Sequence, residues 1–595
     1  MNNGEGLLKT AGSHPDTTKT FVVAAALSLA ALPVVQEGVV TPRRLFAFLI
    51  AALVGLIIVL FFRSPRFDGI NGAVSINEAV LGFILASGVV FRLRALLARR
   101  SLWFDEVSLA TSIRDQSLLD LLTTPLPYQQ SAASGFLAAS WLTFEAFGTG
   151  LVWVRVVPFV AGVMTLVLGL LVAKSAFNRL PAQAFFMAIL ALSPVLIFYS
   201  SEMKQYSTDA LAMTAGLYVA HLIKQRRSAL RAAVIGFTAV IFSSAGLIVF
   251  FLLALIVVFS GGPGTQFRGV IQAAMRNVAV LLTWLVAAAI HVLYTVKAGV
   301  DRTYMQEYWG ARGGFAPETF FSSDTATWYG ERASELVWLT FDATEMVGPG
   351  AYNVSLWVLL ATIILVIGGC RHAGLKNEPL LLVFFTLIMA IMLAQLSIFP
   401  LSSRLALYLI PAFAFLMASG VDRYVGNDKK GFFCVVNTIA AALLTASLIS
   451  TALGQFHAPY LGKDMDAALK VLVREGQSGD AIWAIPLDMR IIDWHRTGAH
   501  FTAPVLPVNP EAARNPSQID NLGEMSTSRL WIVSSARRRE ARMLFQEVEQ
   551  YFESSAVYSS DDTFIALLSN IGPVEFALTN DRSRLTVKQG LRVND

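Results

Sequence analysis

The stretch SLWFDEVS, residues 101–108, sets two adjacent carboxylates, Asp105 and Glu106, behind an aromatic pair and directly after a basic apolar run, FRLRALLARR. Two acids in one place can supply a general base, because a neighbouring charge and partial desolvation raise one carboxyl toward working pH while its partner stays ionised. The same residues can instead serve a helix, since acids in a first turn offset the positive end of its dipole. A second cluster, LSPVLIFYSSEMKQYSTDALAM, carries Glu202, Lys204, Tyr206 and Asp209. A helix beginning near Ser201 would put Glu202, Tyr206 and Asp209 on one stripe at i, i+4 and i+7. That stripe takes Asp209 inward, where an ionisable group in an apolar segment marks a function or a partner. Lys204 lies off the stripe and reads either as a compact cation for a phosphate or as a snorkelling interfacial lysine. Arg155 in LVWVRVVPF and Arg404 in FPLSSRLALYLIP each offer a planar fork for an anionic headgroup, or an anchor for a helix end. RTYMQEYWGARGGFAP adds Tyr304, Tyr308 and Trp309, which line a sugar or lipid groove on one reading and join an interfacial aromatic belt on the other. Taken together, a carboxylate pair and three cations describe a site for a phosphate-bearing lipid.

The elements that must position these residues are membrane helices. The 595-residue chain is 55% hydrophobic and only 15% charged, with a mean hydropathy of +0.59, too apolar for a soluble enzyme of this length. Apolar runs long enough for a bilayer crossing occur near 21–40, 45–62, 77–97, 151–173, 182–200, 209–223, 231–245, 246–260, 277–297, 352–370, 379–398, 404–421 and 432–452. They predict a polytopic α-helical membrane protein of about 13 transmembrane helices. The polar break Ser243-Ser244 splits 231–262 into a short hairpin of two helices, and the first run, preceded by Lys9 and Lys19, can also be read as a signal peptide. The net charge of +5 gathers in short clusters between the runs, which membrane topology explains and which argues against nucleic acid as a partner. Two cysteines, Cys370 and Cys434, offer no disulfide framework.

Orientation follows from the cationic loops at Arg63 and Arg66, Lys174 and Arg179, Lys224 to Arg231, Arg371 and Lys376, and Arg423 to Lys430. All fall on one side, the cytoplasm, when the spans alternate. SLWFDEVS, FYSSEMKQYS, the long loop 298–351 and FPLSSR then emerge opposite. Arg92, Arg94, Arg99 and Arg100 run against this count and are outvoted by the other five loops. From about 456 the chain turns polar: KDMDAALKVLVREG and RRREARMLFQEVEQYF have helical periodicity, while DAIWAIP and RLWIVSSA read as buried strands. The expectation is three regions: 1–75 with two additional helices, a core at 76–455 with a first outer loop at 99–150, and an extracytoplasmic α/β domain at 456–595. That last domain shows no glycine-rich phosphate loop. Its Asp493, His495 and His500 are too few and too loosely spaced for a metal site and read as solvated surface.

Read in order, SLWFDEVSLA, GFLAASWLTFEAFG, WVRVVPF, LSPVLIFYSSEMKQYSTD, EYWGARGGFAP and SSRLALYLIPAF resemble the GT-C membrane glycosyltransferases of family 39, the protein mannosyltransferase and aminoarabinose transferase relatives. The resemblance covers roughly residues 77–500 and rests on the ordered set rather than on any one piece. It implies transfer of one sugar from a polyprenyl-phosphate donor to a glycan, lipid or protein acceptor on the periplasmic face of a bacterial inner membrane, with inversion at the anomeric carbon. Carried over by position, Asp105 matches the family's base, Glu106 its acidic neighbour and Lys204 the residue that holds the donor phosphate. Arg155 and Arg404 join that phosphate grip, and Glu202, Tyr206, Asp209, Tyr304 and Trp309 are the substrate-binding candidates. No metal ligand set is read from the residues, and relatives differ in whether a divalent metal ion assists. One departure is QQSAASGFL, with Ala133 and Ser134 where relatives carry prolines, which puts the first loop's rigidity in question. Another is the additional pair of N-terminal spans. A transporter or flippase for a polyprenyl-linked glycan is the competing reading, since it needs the same cationic cleft but no base.

Overall fold

A computed structural model describes most of residues 76–589; residues 1–75 and connecting stretches, of which 342–353, 508–524 and 535–544 are the longest, lie outside the described residues. The runs near 21–40 and 45–62 therefore lie outside them too. The chain divides at Glu78/Ala79 into two units, and nearly all the described residues belong to the second.

Among the described residues four helices, Ile76–Leu97, Trp153–Ala176, Glu378–Gln395 and Phe432–His457, are long and apolar enough to cross a membrane, and five shorter apolar helices accompany them. Large apolar side chains such as Phe83, Leu282, Ile388 and Ile439 are more than half exposed. That is the surface a lipid-facing helix needs, because its backbone groups are already paired within the helix. The centre is the helix Leu409–Tyr424, buried on every residue from Leu409 to Asp422. It meets Leu356–His372 so closely that a Cβ on Gly369 would stand 2.1 Å from the Leu416 carbonyl oxygen, the small-residue approach that lets membrane helices pack backbone to backbone.

Helices Ala229–Phe242 and Ser244–Phe259 are separated by the single residue Ser243. A Cβ on Gly246 would lie 2.4 Å from the Ala239 carbonyl oxygen, and one on Gly236 would lie 2.7 Å from the Phe250 ring. Residues that a continuous helix would hold about 10 Å or more apart are thus in contact, so the chain reverses at Ser243. Two of the four arginines that run against the charge count are interior. Arg92 donates to the carbonyls of Gly88, Leu190 and Ala191, and Arg100 donates to that of Ser201. Neither is a loop charge facing water, so neither reports on sidedness.

The bundle has two distinct ends. At one, Arg179 donates to the Val425 carbonyl, Arg423 to that of Arg371, and Lys224 pairs with Glu378 at 3.2 Å, so the cationic turns gather there. At the other, the segments around Asp105, Lys204 and Arg404 meet.

Residues 466–589 carry a mixed sheet. Strands β1 (Ala481–Ala484), β2 (Val505–Pro507), β3 (Met525–Ser534), β4 (Ser554–Ser559), β5 (Phe564–Leu578) and β6 (Leu585–Gln589) lie in the order β2-β1-β3-β5-β4, with β6 also on β5. β1 runs parallel to β2 and β3, Ile482 facing Val505 on one side and Trp531 on the other. The parallel step from β1 to β2 requires a crossover, and the helix Pro486–His495 supplies it. That helix packs on Phe104–Asp115 of the first loop. Leu469, Leu472, Ile491, Ile492 and Trp531 share one apolar core with Leu102, Val107, Ile113, Phe136 and Leu137. The sheet therefore completes the core of the first loop instead of standing apart from it.

Candidate active site

The site is built at the start of the helix Phe104–Asp115, whose second and third residues are Asp105 and Glu106. Successive helical side chains diverge by about 100°, so the two acids leave in different directions. Glu106 points inward and has no exposed surface. It accepts from Arg155 twice, Nε at 2.8 Å and Nη2 at 2.7 Å, and from the Met203 amide at 2.7 Å. Arg100 stands 3.5 Å away. Burial works to raise the Glu106 carboxyl, but Arg155 and Arg100 outweigh it and hold the group below the usual carboxylate range. Arg155 also donates to the carbonyls of Arg100 and Ser101. The phosphate role expected of Arg155 therefore meets a geometric obstacle: its fork is filled by protein acceptors and only 1% of the residue is exposed. Glu106 and Arg155 form a knot that ties the first loop to the segment preceding Tyr206.

Asp105 faces the other way. Its Oδ2 lies 2.7 Å from Arg404 Nη2, with both side chains about one-sixth exposed. The Arg404 guanidinium lies 5.4 Å from the Trp103 ring, 5.6 Å from Tyr206 and 5.9 Å from Trp309, within the range of cation–π attraction. Asp105, Arg404, Tyr206 and Trp309, distant in sequence, are thus brought together. Tyr304 belongs to the same short helix as Trp309, Arg302–Gly310, but its side chain lies outside the described residues. Tyr308 stacks instead under Arg312, at 3.7 Å.

The second cluster does not form the expected stripe. The hydroxyls of Ser200 and Ser201 donate back to the carbonyls of Ile197 and Phe198, closing the helix Pro194–Tyr199, and the next helix begins only at Tyr206. Serine competes with the helix for its own carbonyls in this way. Glu202 and Lys204 therefore sit on a turn and diverge. Glu202, 1% exposed, lies 3.8 Å from Arg100, and its Oε1 has no hydrogen-bond partner. Burial and the charge of Glu106 push its carboxyl up to about 7. Lys204 donates to the Gln130 side-chain carbonyl in the first loop. Burial lowers its ammonium below the ordinary value, against the pull of Asp105.

Asp209 departs furthest from the substrate-binding expectation. It accepts from the Ser243 hydroxyl at 2.5 Å and from the Ala245 amide, while Ser243 Oγ accepts from the Gly246 amide at 2.8 Å. A chain reversal inside an apolar bundle leaves helix N-terminal amides without partners; Asp209 and Ser243 provide them. Its partners are a serine hydroxyl and a backbone amide of that reversal, which account for a carboxylate at that depth.

His495, expected on a solvated surface, accepts instead from the Leu102 amide at 3.3 Å. The adjoining Trp494 ring lies 4.7 Å from Arg114. His500 lies outside the described residues. Among the described residues no group of three or more His, Cys, Asp or Glu is gathered for a metal ion.

No protein-family profile matches the sequence, and no curated protein is similar to it in sequence. Solved structures do match. The crystal structure of ArnT from Cupriavidus metallidurans bound to undecaprenyl phosphate superimposes with a TM-score of 0.50 at 12% identity, over 83% of this chain and 98% of that one. The fold is that of the GT-C membrane glycosyltransferases. The apo state of the same ArnT gives a TM-score of 0.47 at 11% identity over 82% and 98% of the two chains. The archaeal oligosaccharyltransferase AglB from Archaeoglobus fulgidus, in complex with an inhibitory peptide and a dolichol-phosphate, gives 0.43 at 12% over 81% and 74%.

Within this GT-C fold several partners had no sequence-level signal of their own. Gln130, in the segment QQSAASGFL, accepts from Lys204. Just before that segment Tyr128 adopts φ +62°, and the Arg490 guanidinium lies 3.6 Å from its ring; Ala132 and Ala133 are buried in the shared core. Packing by the C-terminal sheet domain thus helps to hold this loop. Arg332 and Glu335, both in the long loop 298–351, reach the residues just before Arg404. Neither belongs to a motif. Only their helical spacing of three marked them as a pair.

Proposed function

We propose that this chain transfers a sugar from a polyprenyl-phosphate donor to an acceptor hydroxyl on the periplasmic face of a bacterial inner membrane, with inversion. One observation carries the reading: a carboxylate, Asp105, held 2.7 Å from an arginine that three aromatic rings surround. Lys204 is close enough to both for its ionisation to depend on them. The undecaprenyl phosphate in the ArnT structure supports a donor of that class. The gathering of cationic turns at the opposite end of the bundle supports the periplasmic placement.

The chemistry follows from these groups. The acceptor oxygen attacks the anomeric carbon, its O–H proton passes to Asp105, and the bond from that carbon to the phosphate oxygen breaks. Attack from the face opposite the leaving group inverts the centre. The departing phosphate gains negative charge, which Arg404 and Lys204 neutralise. Arg404 has N–H groups to spare beyond the one that meets Asp105, so it can bridge carboxylate and phosphate and relate base to leaving group directly. Trp309, Tyr206 and Trp103 shield this grip from water and strengthen it. Glu106, Arg155 and Arg100 lie behind it, fixing the helix that presents Asp105.

The test is transfer in detergent, where vectorial transport cannot be scored, from a radiolabelled polyprenyl-phosphate sugar. Native protein should consume the donor, and Asp105→Asn should not while keeping its elution profile and thermal midpoint. An Asp105→Asn variant with near-native transfer removes Asp105 as base; a native protein that binds the lipid without consuming it favours the transporter.

A further inference from the structure

Between the helices Glu378–Gln395 and Leu409–Tyr424 the chain runs irregularly, and two of its serines, Ser397 and Ser403, have positive φ, +53° and +48°. A left-handed residue other than glycine costs about 1–2 kcal/mol, and such a conformation persists only where its surroundings over-determine it. For Ser403 the determinants are Glu335 and Arg332, on the helix Ser323–Phe341. Glu335 Oε1 accepts from the Ser403 amide at 2.7 Å and lies 3.5 Å from Ser402 Oγ. Arg332 Nη1 donates to Ser402 Oγ at 2.9 Å and to Glu335 Oε2 at 2.5 Å. Both charged side chains are under one-tenth exposed. The residue after this turn is Arg404, whose guanidinium holds Asp105.

As a device for stability the arrangement is expensive. A buried ion pair recovers little more than its own desolvation, and apolar residues of similar volume often do as well or better; a glycine at 403 would carry the positive φ without strain. What the pair supplies is direction. The pinned Ser403 amide and Ser402 hydroxyl fix the backbone from which a long, flexible arginine side chain departs, so less of its rotamer freedom remains to be lost when it grips its ligand.

We propose that Arg332 and Glu335 are positioning residues for Arg404, through which the long loop 298–351 sets the geometry of the donor-phosphate grip. This rests on Arg404 holding that phosphate, as proposed above. Neither residue touches the reacting atoms; both act through the 402–403 turn.

The deciding variant is Arg332→Met combined with Glu335→Leu, which exchanges the buried pair for apolar residues of similar volume and should fold at least as well as the native chain. Transfer kinetics should then show a donor KM raised about 10-fold or more, with kcat changed less, because hydrogen bonds to charged groups are worth about 1.5–3 kcal/mol. Adding Arg404→Ala should cost no more than Arg404→Ala alone, since the pair acts through that residue. Glu335→Gln, which keeps an oxygen for the Ser403 amide, should recover most of the affinity. An unchanged donor KM, or losses that multiply with Arg404→Ala, would overturn the proposal. A second measurement does not need transfer at all: a thermal-unfolding cycle between Asp105→Ala and Arg404→Ala. The coupling between them should be present in the native background and vanish with the Met/Leu pair; coupling that survives refutes positioning, whatever the protein proves to transfer.

Discussion

The helix Phe104–Asp115 offers one acid to each of two arginines, in two different surroundings. Glu106 meets Arg155 where side-chain exposure is 0% and 1%, with four further groups closing round the pair. Asp105 meets Arg404 where both remain about one-sixth exposed and three aromatic rings lie around the guanidinium. The first pair is saturated with protein partners, so it has nothing left to offer a ligand. The second keeps N–H donors of Arg404 for what binds. The same chemistry, a carboxylate and a guanidinium, is closed off in one place and partly open in the other.

That contrast can be broken from either side. Truncating Glu106 to Ala leaves Arg155 and Arg100 buried without their acid and should cost about 3–5 kcal/mol of stability. Asp105→Ala should cost about 1 kcal/mol or less, as partly exposed pairs do. Chemical unfolding in detergent compares them, and equal losses would erase the distinction. Lys204→Gln removes a cation from the open side only. Donor KM should rise about 10- to 100-fold, the worth of charge-assisted hydrogen bonds, with the unfolding midpoint nearly unmoved.

The pH dependence of stability sharpens the comparison further, because two acids of the buried region tilt it in opposite directions. Glu106, held below the usual range, stabilises the fold above its ordinary value of 4.5 and loses that as pH falls. Glu202, raised from 4.5 to about 7, binds its proton more tightly folded than unfolded; its contribution is complete below 4.5 and is lost as pH rises through about 7. Glu202→Gln should therefore flatten the decline in thermal midpoint between those pH values. A decline that persists in the variant assigns it to another group. Smallest is Arg490→Ala, which loosens the Tyr128 turn across the domain contact and should weaken donor binding less than about 10-fold, since exposed cation–π pairs are worth about 0.5–1 kcal/mol.

The apolar runs and the Ser243-Ser244 break are legible in the sequence because lipid imposes a length on helices and a partner on every exposed backbone group. Asp105 and Arg404 stand out as charges at span ends. Which of two neighbouring acids faces the open side is not legible, since it depends on the phase of a helix whose start is set by tertiary contacts with Arg155 and Met203. The stripe expected through Glu202, Tyr206 and Asp209 fails for a local reason: the two serine hydroxyls that end one helix delay the next by a turn. Glu335 and Arg332 are polar residues of a helix and Gln130 one of the first loop, and nothing in their own neighbourhoods says that a strained turn or an ammonium lies across from them. The arginines at 92 and 100 were the missed signal. Cations that run against the charge rule are candidates for interior roles, and one of them does border Glu106.

The shared core between the first loop and the C-terminal sheet also has a consequence in time. Glu106 can find Arg155 after 49 residues and the Met203 amide after 97, but the Leu102 amide waits 393 residues for His495. At the ribosome's pace of about 5–20 residues per second, that interval is roughly 20 to 80 s. During it Leu102, Val107 and Phe136 lack the surface that covers them. The knot would then be the early event of biogenesis and the sheet the late one. A chain that stalls before Trp531 would leave the helix bearing Asp105 anchored at its start and bare along its flank, a ready target for the proteases that clear incomplete membrane proteins.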